Sequence, residues 1–357
     1  MTKEGTIMKK LGYAILGLGI GMAHAEAAEA SEYADLVAAC DIDEKRLEKF
    51  ASIYPNATLY RDFEEMLKDE RIDIISICLP SAMHADFAVR AMEAGKNVLV
   101  EKPLDITYER ALLIEEARKR TGMTVGVVHQ NRFNLNMYPI KKAVEEGRIG
   151  KLVLGTFAVK WYREQSYYDR GGWRGTWEMD GGGSLMNQAV HTVDLMTWLM
   201  GDVESVTSTS GIYNHKIDTE DLTASLVKFK SGATATFVST TCAYPGISTE
   251  IMLYGTGGSI EADADMIKTW KMKEPLDDMD EDDEEQMMLD RYSKGNREAA
   301  KYEPEALYGH RHVVEDMICA VRDGREPEVS PISAANAVRF VNAVYESAKT
   351  GKTVIFE

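Results

Sequence analysis

The spacing of hydrophobic and polar positions changes once along the chain. Up to about residue 130, short unbroken apolar runs recur at Tyr13–Leu16, Leu36–Cys40, Ile72–Ile77, Val98–Val100 and Thr124–Val128. Runs this short, rich in β-branched residues, are read as buried strands. The stretches between them read as helices. Met22–Ala30 is dense in Ala and Glu, and Asp43–Ile53 spaces Leu47, Phe50 and Ile53 on one face before Pro55. Phe63–Leu67 is a short helical turn, Ser81 is read as the N-cap of a helix over Met83–Ala94 stopped at Gly95, and Thr107 caps a helix to Arg120. Strands alternating with helices predict a parallel sheet with helices on both faces.

Near Gly150 the period becomes two. Leu152–Trp161 alternates, and Val203–Ser210, Ala224–Phe229, Ala233–Thr240 and Thr249–Tyr254 follow in hairpin-like succession, with turn signals at Ser231-Gly232 and Gly255–Gly258. This half is expected to form a mostly antiparallel sheet, interrupted by one long helix, Ser184–Met200, that Gly201 stops. His310–Val321 and Ala334–Ala348 read as closing helices and Thr353–Phe356 as a last strand.

The first two strands frame a recognisable arrangement. Gly17-Leu18-Gly19 follows the first strand at once, Ile20-Gly21-Met22 leads into the helix, and the second strand ends on Asp41. Gly17 permits a tight turn, Gly19 allows backbone to approach a pyrophosphate, and free N–H groups at the helix start face the negative charge. A carboxylate at Asp41 bonds a ribose 2′-OH and repels a 2′-phosphate, which favours NAD over NADP. The third glycine of G-x-G-x-x-G is replaced by Met22, with Gly21 one place early. Ligands of parallel sheets lie at the carboxyl ends of the strands. Leu79-Pro80, Glu101-Lys102 and Gln130 fall at those ends with Gly17 and Asp41, and join the cofactor candidates.

Composition narrows the partners. The 357 residues favour two domains, 45% hydrophobic content supports real cores, and a net charge of −17 argues against nucleic-acid or anionic-membrane binding. Cys40, Cys78, Cys242 and Cys319 are scattered without a C-x-x-C, so no disulfide and no metal site is expected. No apolar run approaches 18 residues, and Met1–Gly5 lacks a signal h-region. A cytoplasmic protein is expected, with Met8 as a natural start after a short disordered leader. The acidic run Asp277–Glu285 lacks the glycine and spacing of a calcium loop and is read as a solvated surface loop.

Four stretches together resemble the glucose–fructose oxidoreductase, inositol 2-dehydrogenase and MocA family: GLGIGMAHA, PSAMHADFAVRAMEAGKNVLVEKP, WRGTW followed by DGGGSLMNQAVHTVD, and GHRHVVEDMICAVRDGREP. The resemblance runs from about Lys10 to the C-terminus. It implies an α/β protein with an N-terminal Rossmann dinucleotide-binding domain (9–132), then a C-terminal α+β domain with a large open sheet for substrate and oligomerisation (133–330). The closing helix and strand (331–357) are expected to pack back on the first domain. It further implies oxidation or reduction of a carbinol of a sugar, cyclitol or related polyol with NAD(P), and assembly into homodimers or homotetramers.

Candidate chemistry falls on two stretches. Lys102 ends a strand at the cofactor edge and can stabilise developing alkoxide charge; the resemblance implies the same role, with Glu101 near the nicotinamide ribose. In the Ser184–Met200 helix, Asn187, His191, Asp194 and Trp198 recur at i, i+4, i+7 and i+11 and share one face. His191 is read as the base that takes the hydroxyl proton, Asn187 as holding a substrate hydroxyl, and Asp194 as orienting the imidazole. Many relatives carry an aspartate where this chain has Asn187, and an amide is no base, which leaves His191 and Lys102 to handle the proton. Gly181-Gly182-Gly183 is read as a point of close approach by substrate or nicotinamide. Trp161, Tyr162, Trp173 and Trp177, beside Arg170 and Arg174, read equally as core or as a sugar-stacking wall. Asn131, Arg132, Tyr162 and His310 complete the substrate candidates, and His84 is read as structural, near the ribose edge. Two other functions remain open at this point: a dinucleotide-binding sensor without catalysis, and an NAD-retaining glycosidase.

Overall fold

The structure is a computed structural model and describes residues 10–276, 279–303 and 306–357. The leader before Met8 lies outside the described residues. The chain divides into two compact units.

The first unit takes the chain up to Asp105, then Glu109–Val128 and His310–Ser333. Its sheet is built from β1 (Leu11–Leu16), β2 (Ala34–Cys40), β3 (Thr58–Tyr60), β4 (Ile74–Ile77), β5 (Asn97–Val100) and β6 (Val125–Val127), in the order β3-β2-β1-β4-β5-β6. Every pairing is parallel, the arrangement the alternating pattern predicts. The short β3 was not foreseen; two half-buried residues around one exposed leucine carry little hydrophobic signal. The helices are α1 (Gly21–Glu29), α2 (Glu44–Ile53), α3 (Phe63–Leu67), α4 (His84–Glu93) and α5 (Tyr108–Thr121). Asp43 and Asp62 cap α2 and α3 by accepting backbone N–H bonds. Ser81 is not the cap of α4. It opens a 3-10 turn, Ser81–Met83, that leads directly into the helix.

The second unit comprises 106–108, 129–309 and 334–357. After α6 (Met137–Glu145), its sheet runs through β7 (Leu152–Lys160), β8 (Val203–Gly211), β9 (Leu222–Phe229), β10 (Thr234–Thr240), β11 (Ser248–Gly255), β12 (Gly258–Ala262), β13 (Ile267–Met272) and β14 (Val354–Ile355). The order is β13-β12-β11-β7-β10-β9-β8-β14, and only β7 with β10 is parallel. Two helices lie between β7 and β8: α7 (Gln165–Asp169) and α8 (Val190–Met200). One face of the central strands buries Phe157, Val227, Phe237 and Leu253; side chains on the other include Leu154 and Leu226, 40% and 49% exposed.

Three expectations are corrected here. The acidic run is a helix start rather than a surface loop: α9 (Glu281–Tyr292) follows Asp280, whose side chain accepts the Asp283 N–H. Acids suit the positive end of a helix. Glu284, 1% exposed, receives both a bidentate Arg148 guanidinium and the Trp270 indole. Asp277 and Asp278 lie outside the described residues. After α10 (Asn296–Ala299), α11 (Gly309–Asp323) belongs almost wholly to the first unit. Gly126 in β6 makes room for Met317, and Val127 N–H bonds Val329 O at 3.3 Å. Conversely, α12 (Pro331–Thr350) packs in the second unit from residue 334, with Phe340 against Phe237 at 6.1 Å, and β14 extends that sheet beside β8. The end of the chain thus belongs to the second unit, where its strand finds free backbone groups at the edge of the sheet.

Candidate active site

In the first unit the glycine turn fits a dinucleotide. Gly17 has φ +91°, and a Cβ there would sit 2.5 Å from Cys78 O. Gly19 has open space around it, with nothing within 4 Å of a built Cβ. Gly21 resolves the displaced third glycine: its Cβ would meet Ile15 at 2.6 Å, so it provides the close helix–strand packing one residue early. The half-exposed Ile20 occupies the N-cap position of α1 without a side-chain cap, and Met22 follows in the first turn, so the helix presents unsatisfied N–H groups to an anion. Asp41, 7% exposed, accepts Leu18 N–H at 2.7 Å and Asp43 N–H at 2.8 Å. It ties the turn to the end of β2 and keeps lone pairs for a ribose hydroxyl. Arg46 stands 3.5 Å away and offsets part of its charge.

At the ends of β4 and β5, Leu79-Pro80 and Glu101-Lys102 carry the other cofactor candidates. The Lys102–Pro103 peptide is cis. His84, buried on α4, bridges Pro103 O at 2.7 Å and Leu79 O at 2.9 Å. Both ring nitrogens are engaged, so its part is to join the two strand-end turns. Glu101, 5% exposed, lies between His24 Nε2 at 3.0 Å and His310 Nε2 at 3.6 Å. A carboxylate only accepts, so His24 donates from Nε2; its Nδ1 lies 2.9 Å from Ser76 Oγ, which in turn meets Tyr13 OH at 2.6 Å. Burial works against the Glu101 charge. Hydrogen bonds from His24 and His310, with the charges of His24 and Lys102, outweigh it and hold the pKa well below the ordinary carboxylate range. Lys102 N–H also bonds Glu101 at 3.0 Å. The network thus fixes the backbone that carries Lys102. His310, expected as a substrate residue, is a partner of this carboxylate, and His24 was not singled out from sequence. The three ligating atoms lie within 4.8 Å of one another, a donor set open to a divalent ion as well as to these hydrogen bonds.

In the second unit, Gln130–Phe133 forms a 3-10 turn beside α8. Arg132 and Asp194 make a buried bidentate pair at 2.7 and 2.6 Å, with Trp198 against the guanidinium at 5.5 Å. This corrects two expectations: Asp194 spends both oxygens on Arg132 rather than on His191, and Arg132, 6% exposed, is structural rather than a substrate contact. His191 stays half-buried, its Nε2 3.4 Å from Gln130 Nε2, with the His129 ring edge-on at 6.1 Å. Gln130, expected among the cofactor contacts, therefore neighbours the candidate base. Its Oε1 is buried without a donor among the described residues. Asn131 is half-buried on the same turn.

The helix expected over Ser184–Met200 begins as a π-helical turn, Ser184–Gln188, before α8. The extra residue per turn breaks the shared face read from i, i+4 spacing. Asn187 accordingly turns into a network: its Nδ2 donates to Asp180 at 2.5 Å, and its Oδ1 accepts from Gln188 at 2.7 Å and Tyr167 at 3.4 Å. A buried carboxylate, Asp180, thus stands one contact from the position where relatives carry aspartate. The glycine triplet meets protein rather than ligand. Built Cβ atoms on Gly181, Gly182 and Gly183 would lie 2.5 Å from Ile106, 2.1 Å from Tyr345 Oη and 1.9 Å from Glu220 O. Glu220 accepts Gly183 N–H at 2.9 Å and Leu185 N–H at 2.7 Å, and burial pushes its pKa up to about 7 against the pull of those bonds. Sequence reasoning missed Glu220, Tyr167, Gln188 and Asp180; each meets its partner across the fold, and such contacts leave no periodic signal. Of the aromatics, Trp161 and Trp177 donate to Thr249 and to Asp218 O. Tyr162 packs on Tyr244 at 5.2 Å, and Trp173 lies under Arg174 at 4.8 Å.

Comparison with known proteins decides the family. The oxidoreductase family with an NAD-binding Rossmann fold matches residues 11–129, and the GFO/IDH/MocA C-terminal domain matches 139–261. The chain belongs to the GFO/IDH/MocA family. Among solved structures, the WlbA dehydrogenase from Bordetella pertussis, in complex with NADH and UDP-GlcNAcA, is 30% identical over 99% of both chains with a TM-score of 0.89. A curated relative from Comamonas testosteroni, 1-carboxy-3-chloro-3,4-dihydroxycyclohexa-1,5-diene dehydrogenase, is 32% identical over 56% of this chain and 50% of its own length. The myo-inositol 2-dehydrogenase of Thermotoga maritima is 27% identical over 70% of this chain and 74% of its own. The matched regions span 50%, 63% and 43% of three curated relatives. This GFO/IDH/MocA chain thus carries an NAD-binding Rossmann unit followed by the family's C-terminal domain. No helix among the described residues is long and apolar enough to cross a membrane.

Proposed function

We propose that this protein is an NAD-dependent oxidoreductase acting on a secondary carbinol of a sugar, inositol or related polyol. The observation that carries this reading is the presence in one chain of a complete dinucleotide cradle and a half-buried histidine, His191, beside Gln130. A relative named as a myo-inositol 2-dehydrogenase and the WlbA dehydrogenase solved with NADH and UDP-GlcNAcA support it. The cofactor would accept a hydride as NAD⁺ in oxidation and give it back as NADH in reduction. Open backbone at Gly19 and the α1 N-terminus hold the pyrophosphate, and Asp41 holds the ribose hydroxyls. His191 takes the hydroxyl proton, and Lys102, steadied through Glu101, donates to the reacting oxygen.

A panel of polyols, sugars and sugar derivatives with NAD, followed at the NADH absorbance, tests the reading. Turnover of at least one panel member, lost in His191→Ala, is expected. Tight NADH binding with no oxidation or reduction across the panel would replace it with the sensor reading. We further propose a homodimer or homotetramer, because the second sheet leaves Val153, Leu154 and Leu226 exposed on β7 and β9. Light scattering at micromolar concentration checks this, and a monomer overturns it. Cytoplasmic operation goes with the four free cysteines.

A further inference from the structure

Acidic groups outnumber basic ones in this chain, 58 to 41. Carboxylates were available to pair with arginine, and buried Arg132 and half-buried Arg148 are so paired. Yet Arg163, Arg170 and Arg174, within twelve residues of each other, form no ion pair among the described residues. Nearby acids do not serve them: Asp169 accepts from Gln165, Asp180 accepts from Asn187 and Gly175 N–H, and Glu164 and Glu178 are exposed.

Arg163 and Arg174 are half-buried, where a guanidinium without a counter-charge is costly. Aromatic faces and neutral oxygens hold them instead. Arg163 lies over Trp161 at 5.1 Å and Tyr167 at 5.4 Å, and donates twice to Gln188 Oε1 at 3.1 and 2.8 Å. Arg174 lies over the same Tyr167 at 4.9 Å and over Trp173 at 4.8 Å; its Nε is buried with no acceptor among the described residues. Tyr167 OH joins both to the candidate substrate helix, through Gln188 at 2.8 Å and Asn187 at 3.4 Å, one turn before His191.

We infer that the substrate is a sugar or polyol bearing an oxyanion, a carboxylate or a phosphate ester, and that Arg163 and Arg174 receive that charge. The inference rests on the oxidoreductase reading of this site and deepens it. Arg174 keeps its Nε unspent while its Nη1 donates to Arg170 O at 3.2 Å, and Arg163 meets only the neutral Gln188 amide oxygen and Tyr162 O, acceptors that an oxyanion outcompetes. The surplus positive charge is placed where a neutral polyol would have no use for it.

Isothermal titration of the NADH-bound protein tests this, with glucuronate, glucose 1-phosphate and UDP-glucuronate as charged probes and glucose and myo-inositol as neutral ones. Charged probes are expected to bind at least tenfold more tightly. Arg163→Met and Arg174→Met are each expected to weaken charged probes by about 10- to 100-fold, leave neutral ones within twofold and keep NADH binding, with Arg163→Lys recovering part of the loss. Affinity for charged probes in the unmodified protein should also fall as salt rises, which needs no variant. Preference for glucuronate over glucose 1-phosphate assigns the carboxylate, and the reverse the phosphate. Charged probes bound no better than neutral ones, including no binding of any, overturn the inference, as does unchanged charged-probe affinity in both methionine variants. Arginine-dependent binding of charged probes without any NADH turnover leaves the inference standing and removes the oxidoreductase reading. Preferential oxidation of neutral polyols does the opposite.

Discussion

Replacing Glu220 with Gln tests whether one buried carboxyl sets both the pH response of the second unit and the shape of its π-helical turn. Glu220 is 3% exposed, and its pKa rises from 4.5 to about 7, chiefly through burial. Below pH 4.5 the group is protonated whether the chain is folded or unfolded. Between 4.5 and about 7 the folded protein holds a proton that the unfolded chain has released, so stability falls as pH rises. Above that window the folded state carries the whole cost of a buried charge. At about 1.36 kcal/mol per pKa unit the loss is about 3 kcal/mol. Gln cannot ionise, so Glu220→Gln removes this slope. It also turns an amide group toward one of the two N–H donors, Gly183 or Leu185, and so lowers stability by about 1–3 kcal/mol at pH 5, where the wild-type carboxyl is mostly neutral. Urea unfolding of both proteins at intervals from pH 4.5 to 8 measures it. Other groups titrate in this window, so the difference between the two proteins is the relevant quantity. It should shrink by about 3 kcal/mol as pH rises, and the variant can become the more stable above pH 7. Parallel curves would refute the reasoning, because Glu220 would then ionise alike in both states.

Asp194→Ala strips buried Arg132 of both its carboxylate bonds and should cost about 3–5 kcal/mol by urea unfolding; a loss below 1 kcal/mol would show the pair to be dispensable. His191→Ala should lower kcat by roughly 10²–10⁴-fold and abolish the acidic limb of the pH–rate profile for oxidation. A retained acidic limb would pass the role of base to Lys102. Lys102→Ala should reduce kcat with NADH affinity nearly unchanged, and a matching loss of affinity would recast it as a cofactor-binding residue. Asp41→Ala should weaken NAD by about tenfold or more and narrow its advantage over NADP, because Arg46 is then free to meet a 2′-phosphate; tighter NADP binding by the unmodified protein would refute the assigned preference.

Much of this protein was legible from local sequence. The parallel strands showed as apolar runs, the antiparallel ones as alternation, and the dinucleotide turn as Gly17, Gly19 and Asp41 in one contiguous strand–helix–strand unit. Each depends on neighbours a few residues apart, where chain geometry alone dictates which side chains share a face. His191 and Lys102 were picked out on such elements as candidates, and their roles stand as proposals.

The partners of the polar groups were decided only in three dimensions. Asp194 was read as the partner of His191 and instead took Arg132, 62 positions away. Glu101 lies between His24 and His310, on helices far apart in sequence, and Glu220 anchors Gly183 and Leu185 from a distant loop. Even the phase of the Asn187–His191 stripe changed, because the turn Ser184–Gln188 is π-helical and holds more residues per turn than an α-helix. Hydrophobic periodicity reports how much of a face is buried. It does not report which donor meets which acceptor there, since a buried polar group is satisfied by whichever complementary group the completed fold brings within about 3 Å.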